Sequence, residues 1–154
     1  MINKLRRTLA FFLISWVLFT AASCGKEKDP LDYHKVIEKD GKTYVEKKGR
    51  LYKGRQDGEN VYLVLTHDYP SGEDMLCYML DMEEEVKQEL DKAKTGSLIR
   101  FRCLDYMEPT NPARIFVLSA EKLSRYGPEV DTDTLEWIKG LHGMEGLLDL
   151  PEGY

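Results

Sequence analysis

The chain has 154 residues, of which 42% are hydrophobic and 32% charged, and its formal net charge is −5. This length allows one ordinary domain and excludes a protein of several domains. The acidic balance opposes binding to a phosphate backbone, and the three cysteines have no C-x-x-C spacing, so no zinc site is predicted.

Residues 1–23 have the pattern of an export signal. Lys4, Arg6 and Arg7 form a positive segment, and an apolar run of 14 residues follows from Leu9 to Ala22. A helix that spans a bilayer needs roughly 20 apolar residues, so a cleaved leader is favoured over a permanent transmembrane anchor.

The small residues 21–23 directly before Cys24 resemble the lipobox of bacterial lipoproteins. The resemblance implies that Cys24 is the first mature residue and carries acyl chains such as palmitate, so that the membrane is one partner. Cleavage by the ordinary signal peptidase is the alternative, because Ala21 and Ser23 also fit a small-x-small site. Both interpretations predict export.

Removing 23 leader residues leaves 131, and 19 basic residues then face 27 acidic ones, a net charge of −8. Residues 24–32 are predicted to form a flexible charged tether. This stretch is similar to the surface-export signals of Bacteroidetes-type lipoproteins, which implies a place in the cell envelope, at the outer membrane or the cell surface.

Two Asp-Gly pairs predict tight hairpins in the first part of the mature chain, because both turn positions favour a positive φ. Asp40-Gly41 lies between Val36-Ile37 and Thr43–Val45, and Asp57-Gly58 lies between strands at 50–53 and 61–66. A loop over 66–74 precedes a buried strand over 75–80.

A helix is predicted over 81–94, since one apolar stripe is spaced at helical intervals. Its members are Met82, Val86, Leu90 and Ala93. A strand over 97–105 then alternates, with Ile99, Phe101 and Cys103 on one face and Arg100 and Arg102 on the other. A proline-containing loop at 108–112 and a last strand at 114–120 follow.

This order predicts a mainly β fold, a five-stranded OB-like barrel with one helix between strands 3 and 4, plus a short C-terminal helix. Met75-x-Cys77-x-Met79, Ile99-x-Phe101-x-Cys103 and the run 115–118 are similar to the tRNA_anti-like OB domains of bacterial lipoproteins, over about residues 44–123. Arg102 and Asp105 depart from that pattern, where glycines are expected.

The predicted organisation is a signal peptide at 1–23, a tether at 24–32, an OB-like domain at 33–126 and a tail at 127–154. Asp133 and Glu136 form a capping box for the tail helix. Trp137, Leu141, Met144 and Leu148 lie along one face of that helix, and this face is expected to pack on the barrel. A partner-binding amphipathic tail is the alternative.

OB domains bind through strands 2 and 3 and through the loops that join strands 1–2 and 4–5. If Leu63, Leu65, Cys77 and Met79 point inward, an outward patch results that includes Tyr62 and Tyr78. The candidate binding residues are therefore Tyr62, Tyr78, Arg55, Asn60 and Asn111. Coverage of this patch by the tail is the alternative.

No catalytic residues, cofactor or metal site are predicted, because no nucleophile elbow, phosphate loop or histidine pair with ligand spacing is present. The predicted function is a membrane-anchored binding or adaptor module for an envelope protein, peptide or glycan. A structural envelope protein is one alternative and a binder of single-stranded nucleic acid another, although the negative charge predicts no appreciable nucleic-acid binding.

Two thiols remain if Cys24 is acylated. Cys77 and Cys103 lie on predicted strands that are not neighbours in an OB fold, so two buried free thiols facing the interior are favoured over one disulfide.

Overall fold

The computed structural model describes residues 30–67, 75–124, 132–141 and 143–150. Within these ranges, a 3₁₀ turn at Pro30–Asp32 is followed by seven strands and two helices. The elements in chain order are β1 (His34–Lys39), β2 (Lys42–Gln56), β3 (Glu59–His67), β4 (Met75–Met82), α1 (Glu84–Asp91), β5 (Leu98–Glu108), β6 (Ala113–Ser124), α2 (Thr132–Lys139) and β7 (Met144–Leu148).

Five strands close in a ring in the order β2-β3-β4-β6-β5, and β5 pairs back onto β2. All neighbours are antiparallel except β4 and β6, which are parallel. With α1 between the third and fourth ring strands, this is the mainly β, OB-like architecture that the sequence predicts.

Both Asp-Gly turns are confirmed. Asp40 and Gly41 have φ of 52° and 71°, and Asp57 and Gly58 have φ of 51° and 78°. The first turn joins β1 to β2 and the second joins β2 to β3. The β1–β2 hairpin extends beyond the ring, since the first half of β2 pairs with β1 and the second half with β3.

The inside of the ring is an apolar core closed at one end by α1. All five ring strands contribute buried residues to it, among them Leu51, Val64, Leu80, Phe101 and Val117. The predicted helical stripe is confirmed, because Leu90 and Ala93 are buried in this core while Met82 and Val86 pack against it. The helix itself is shorter than predicted.

A second apolar cluster lies outside the ring, on the outer face of β2 and β3. We call Tyr52, Leu63 and Leu65 the outer apolar face. It is covered by Leu135 and Ile138 of α2, both buried, and partly buried residues of the tail complete the contact, namely Leu141, Met144, Leu147 and Leu150. Residues 132–150 are called the C-terminal cover below.

The tail corrects two sequence expectations. The helix ends at Lys139, and residues 144–148 form strand β7 on β2 where the apolar stripe predicted more helix. Trp137 is 49% exposed, so the expectation that it packs on the barrel was wrong, whereas Leu141 and Met144 of the same predicted face do pack there. The buried residues of the helix are Leu135 and Ile138. Three glycines after Lys139 disfavour further helix, and backbone bonding to β2 favours a strand.

Polar bonds hold the cover in place. The buried Lys53 ammonium donates to the Asp149 carboxylate at 2.6 Å and to the Asp91 carbonyl at the end of α1 at 3.1 Å. The Thr95 hydroxyl donates to the Leu148 carbonyl at 2.6 Å. One lysine therefore joins the ring, the helix and the cover.

Cys77 and Cys103 are free thiols, as predicted, but only Cys103 belongs to the ring core. Cys77 packs in the outer cluster beneath the cover, which corrects the expectation that both face the interior. Burial raises the pKa of Cys77 to about 12 and that of Cys103 to about 11.

We therefore expect neither thiol to react with iodoacetamide at pH 8 in the folded protein, since the thiolate is the reactive form. Both are expected to react after denaturation without reductant, and peptide mass spectrometry of the labelled protein measures this. Labelling of Cys77 in the native protein at the denatured rate would show that the cover does not protect it.

Candidate functional site

A groove of about 700 Å³ opens at the end of the ring opposite α1, beside the β1–β2 hairpin. This volume lies within the range of roughly 300–1,000 Å³ that ligand sites in proteins occupy. Five strands contribute to its lining, which comprises His34, Val36, Val45, Lys47, Leu76, Tyr78, Cys103, Leu104, Asp105, Tyr106, Met107 and Ile115.

The floor and the rim of the groove are mainly apolar. Val45, Cys103 and Ile115 belong to the buried ring core and form the floor. The rim carries three large apolar side chains in solvent, with exposed fractions of 53% for Val36, 70% for Tyr106 and 54% for Met107. Clustered exposed apolar groups of this kind mark interaction sites, and Tyr and Met are enriched in protein interfaces.

His34, Lys47 and Asp105 lie among these apolar residues. Lys47 is 8% exposed, and its Nζ donates to the His67 carbonyl at 2.9 Å, which ties β2 to the end of β3. Burial and the Lys47 charge lower the pKa of His34, while Asp105 opposes them. The groove is therefore lined by one lysine, one aspartate and a histidine held toward its neutral form.

The opposite side of the same sheet carries several basic residues around Ile37 and Tyr44. Side chains alternate along a strand, and residues 35, 37 and 39 share a face with their β2 partners 46, 44 and 42. We call the lysines on this side the lysine face: Lys35, Lys39, Lys42 and Lys48. Arg100 and Arg102 continue it on β5, opposite Lys48 and Glu46.

The one acidic residue of β2 on this side is already bonded. Glu46 accepts from the Tyr33 hydroxyl at 2.7 Å and from Arg102 at 3.1 Å, and Lys48 Nζ lies 4.7 Å from the centre of the Tyr33 ring. The hydrogen bond from Tyr33 and the Arg102 guanidinium lower the pKa of Glu46 although desolvation opposes them. No ion pair with Lys35, Lys39 or Lys42 occurs among the described residues.

The predicted binding patch is not on the surface. Tyr62 is 4% exposed and lies in the ring core with Val64, and its hydroxyl donates to the Asp91 carboxylate. Leu63 and Leu65 point outward instead, under the C-terminal cover. The inward and outward faces were therefore assigned in reverse, and Tyr78 is half-buried in the groove.

The other predicted residues are dispersed. Asn60 and Tyr62 line a polar pocket of about 240 Å³ beside the β2–β3 turn, where Arg114 donates to Asp81 at 3.2 Å. Arg55 and Asn111 are exposed and line neither cavity. Of the five predicted binding residues, the structure thus brings together Asn60 and Tyr62 at the polar pocket, whereas Tyr78 lines the groove.

Sequence reasoning missed the groove because part of its rim, Val36, lies on β1, outside the segment that resembles OB domains. A signal was present in Tyr106 and Met107, two large apolar residues placed beside a predicted loop, where polar residues are the norm. Only the closed ring shows that Val36 lies near them.

Within the described ranges, no group of three or more His, Cys, Asp or Glu side chains is placed to hold a metal ion. Among the same residues, no helix has both the length and the apolar character to cross a bilayer. The residues of the predicted leader, including Cys24, lie outside the described part of the chain.

The fold and the groove define a class: a mainly β, OB-like domain with an apolar groove at its open end and a C-terminal cover on the outside. Comparison with protein-family models, with curated proteins and with solved structures finds no match to this chain.

Proposed function

We propose that this protein is an exported lipoprotein, anchored through lipid on Cys24, whose OB-like domain binds a segment of an envelope protein in the groove. The observation that carries the proposal is the exposed apolar rim of the groove, formed by Val36, Tyr106 and Met107. Leaving these side chains in water costs free energy that a bound partner would recover.

A protein partner fits this site better than a glycan or nucleic acid does. Sugars and phosphates need polar or basic contacts, whereas the exposed rim of the groove is mainly apolar and its lining holds one lysine, one aspartate and one histidine. The aromatic residue that would stack on a base in strand β3, Tyr62, is buried in the core. A purely structural role leaves the exposed rim without an explanation.

Site-specific photo-cross-linking in intact cells tests the proposal. A photoreactive amino acid at Tyr106 is expected to attach to one defined envelope protein, identified by mass spectrometry, and Val36→Asp in the same chain should abolish the product. The matched control is the same amino acid at Leu118, which is 39% exposed but does not line the groove. Equal products from both positions would refute a groove-specific partner.

The anchor has its own test. Cys24→Ala is expected to abolish incorporation of labelled fatty acid and to leave the protein unprocessed or released from the membrane, because the thioether-linked lipid cannot form. Mass spectrometry of the mature N-terminus measures it directly. An unmodified Cys24 in the wild-type protein would refute the lipoprotein assignment and leave the groove proposal standing.

A further inference from the structure

We propose that the partner binds by strand addition, as an extended peptide that pairs with the open edge of β1 and alternates apolar with acidic side chains. This inference rests on the proposed function and specifies the chemistry of the partner.

One edge of β1 pairs with β2, and the other pairs with no described strand. The pairing with β2 runs along six residues. Backbone N–H and C=O groups on its second edge therefore point away from the sheet. An extended peptide can hydrogen-bond to such an edge, and this is a recurring mode of peptide recognition.

One side of β1 faces the groove. His34 and Val36 of β1 line the groove, so every second side chain of an added strand would face the same way. Those side chains would lie beside Val36, the rim residue that belongs to β1 and is 53% exposed. Apolar residues at alternate positions of the partner would bury Val36 at the mouth of the groove.

The side of β1 that faces away from the groove carries lysines. Lys35 and Lys39 are exposed on the lysine face, directly at the edge of β1. The intervening side chains of an added strand would lie beside them. Acidic residues there are complementary, since opposite charges on neighbouring strands attract and like charges repel.

The same lysines argue against a second copy of this chain as the occupant. Two β1 strands pairing antiparallel about Ile37 would place Lys35 of each copy opposite Lys39 of the other. Lysines on an edge strand disfavour this kind of self-association in natural sheets. An acidic strand is attracted where an identical strand is repelled.

The test uses three fluorescent eight-residue peptides on the full chain, with binding measured by anisotropy. The first alternates Val and Glu, the second alternates Val and Lys, and the third has the composition of the first with all Val before all Glu. We expect the alternating Val-Glu peptide to bind at least about tenfold more tightly than either control, because only it satisfies both sides of β1.

Charge reversal provides the decisive variants. Lys35→Glu with Lys39→Glu is expected to weaken the Val-Glu peptide about tenfold and to strengthen the Val-Lys peptide. Lys94→Glu with Lys122→Glu, two exposed positions outside the groove and β1, changes the net charge equally and should leave both affinities unchanged. Circular dichroism confirms that each variant is folded.

Hydrogen exchange supplies a second readout, because strand addition should protect backbone amides of β1 that the free protein exposes. Binding without added protection in β1, or affinities unaffected by reversing Lys35 and Lys39, would overturn strand addition. If cross-linking at Tyr106 still captures a defined partner in that case, the proposed function stands and only its mode is wrong.

Discussion

Replacing Ile138 with Ala is expected to lower the free energy of unfolding by about 2–5 kcal/mol, as for other large-to-small changes at buried aliphatic positions. Ile138 has no solvent exposure and packs with Leu135 on the outer apolar face. The change leaves a cavity between the cover and the ring. Urea unfolding followed by far-ultraviolet circular dichroism measures the loss.

The neighbouring Trp137 provides the control. Its side chain is 49% exposed, so Trp137→Ala is expected to change stability by less than about 0.5 kcal/mol. The sequence pattern predicts the reverse ranking, with Trp137 in contact with the barrel. A greater loss for Trp137→Ala than for Ile138→Ala would therefore show that the helix presents its other face to the sheet.

Gly49→Ala is the second change for which we expect a large loss, about 1–3 kcal/mol, because the site has no room for a methyl group. A Cβ at Gly49 would lie 2.3 Å from Val64 Cγ2 and 2.8 Å from the Leu65 carbonyl oxygen. Val64 is a stiff, fully buried side chain and the carbonyl is backbone, so neither can move freely.

Gly146→Ala is the matched control, since a Cβ there meets no atom within 4 Å. This change is expected to be neutral or slightly stabilising, because alanine loses less conformational freedom than glycine on folding. Thermal unfolding of both variants makes the comparison. Equal melting temperatures would mean that β2 and β3 separate at Gly49 more easily than their packing indicates.

The sequence predicts most of the ring because its signals are local. The Asp-Gly turns fix the hairpins through their backbone preference, and the alternation of Ile99, Phe101 and Cys103 with two arginines orients β5 correctly. The helical stripe likewise identifies the face of α1 that closes the core. Each of these depends on residues close together in the chain.

The orientation of β3 could not be derived in this way. Residues 61–65 are apolar without interruption, so period-two alternation gives no information on which face is inside. The reason for the pattern is that both faces are covered, one by the ring core and the other by the C-terminal cover. Tyr62 was misplaced for this reason, and Tyr78 because residues 75–80 of β4 are a second apolar run without alternation.

The groove could not be predicted from the sequence, because its lining combines β1 with the β5–β6 hairpin, which is distant in the chain. Val36 and Met107 line the same cavity only because the ring closes. The long β2 strand brings these elements together, because its first half pairs with β1 and β5 while its second half pairs with β3 and β7.

The C-terminal cover has a consequence for the order in which the protein is made. Lys53 and Asp149 are separated by 96 residues, and the outer apolar face lies on strands that emerge early. During N-to-C synthesis, Tyr52, Leu63 and Leu65 therefore stay uncovered until α2 and β7 follow. A nascent chain paused after β6 would present this apolar surface to chaperones and proteases, so that protection from them depends on residues 132–150, the last part of the described chain.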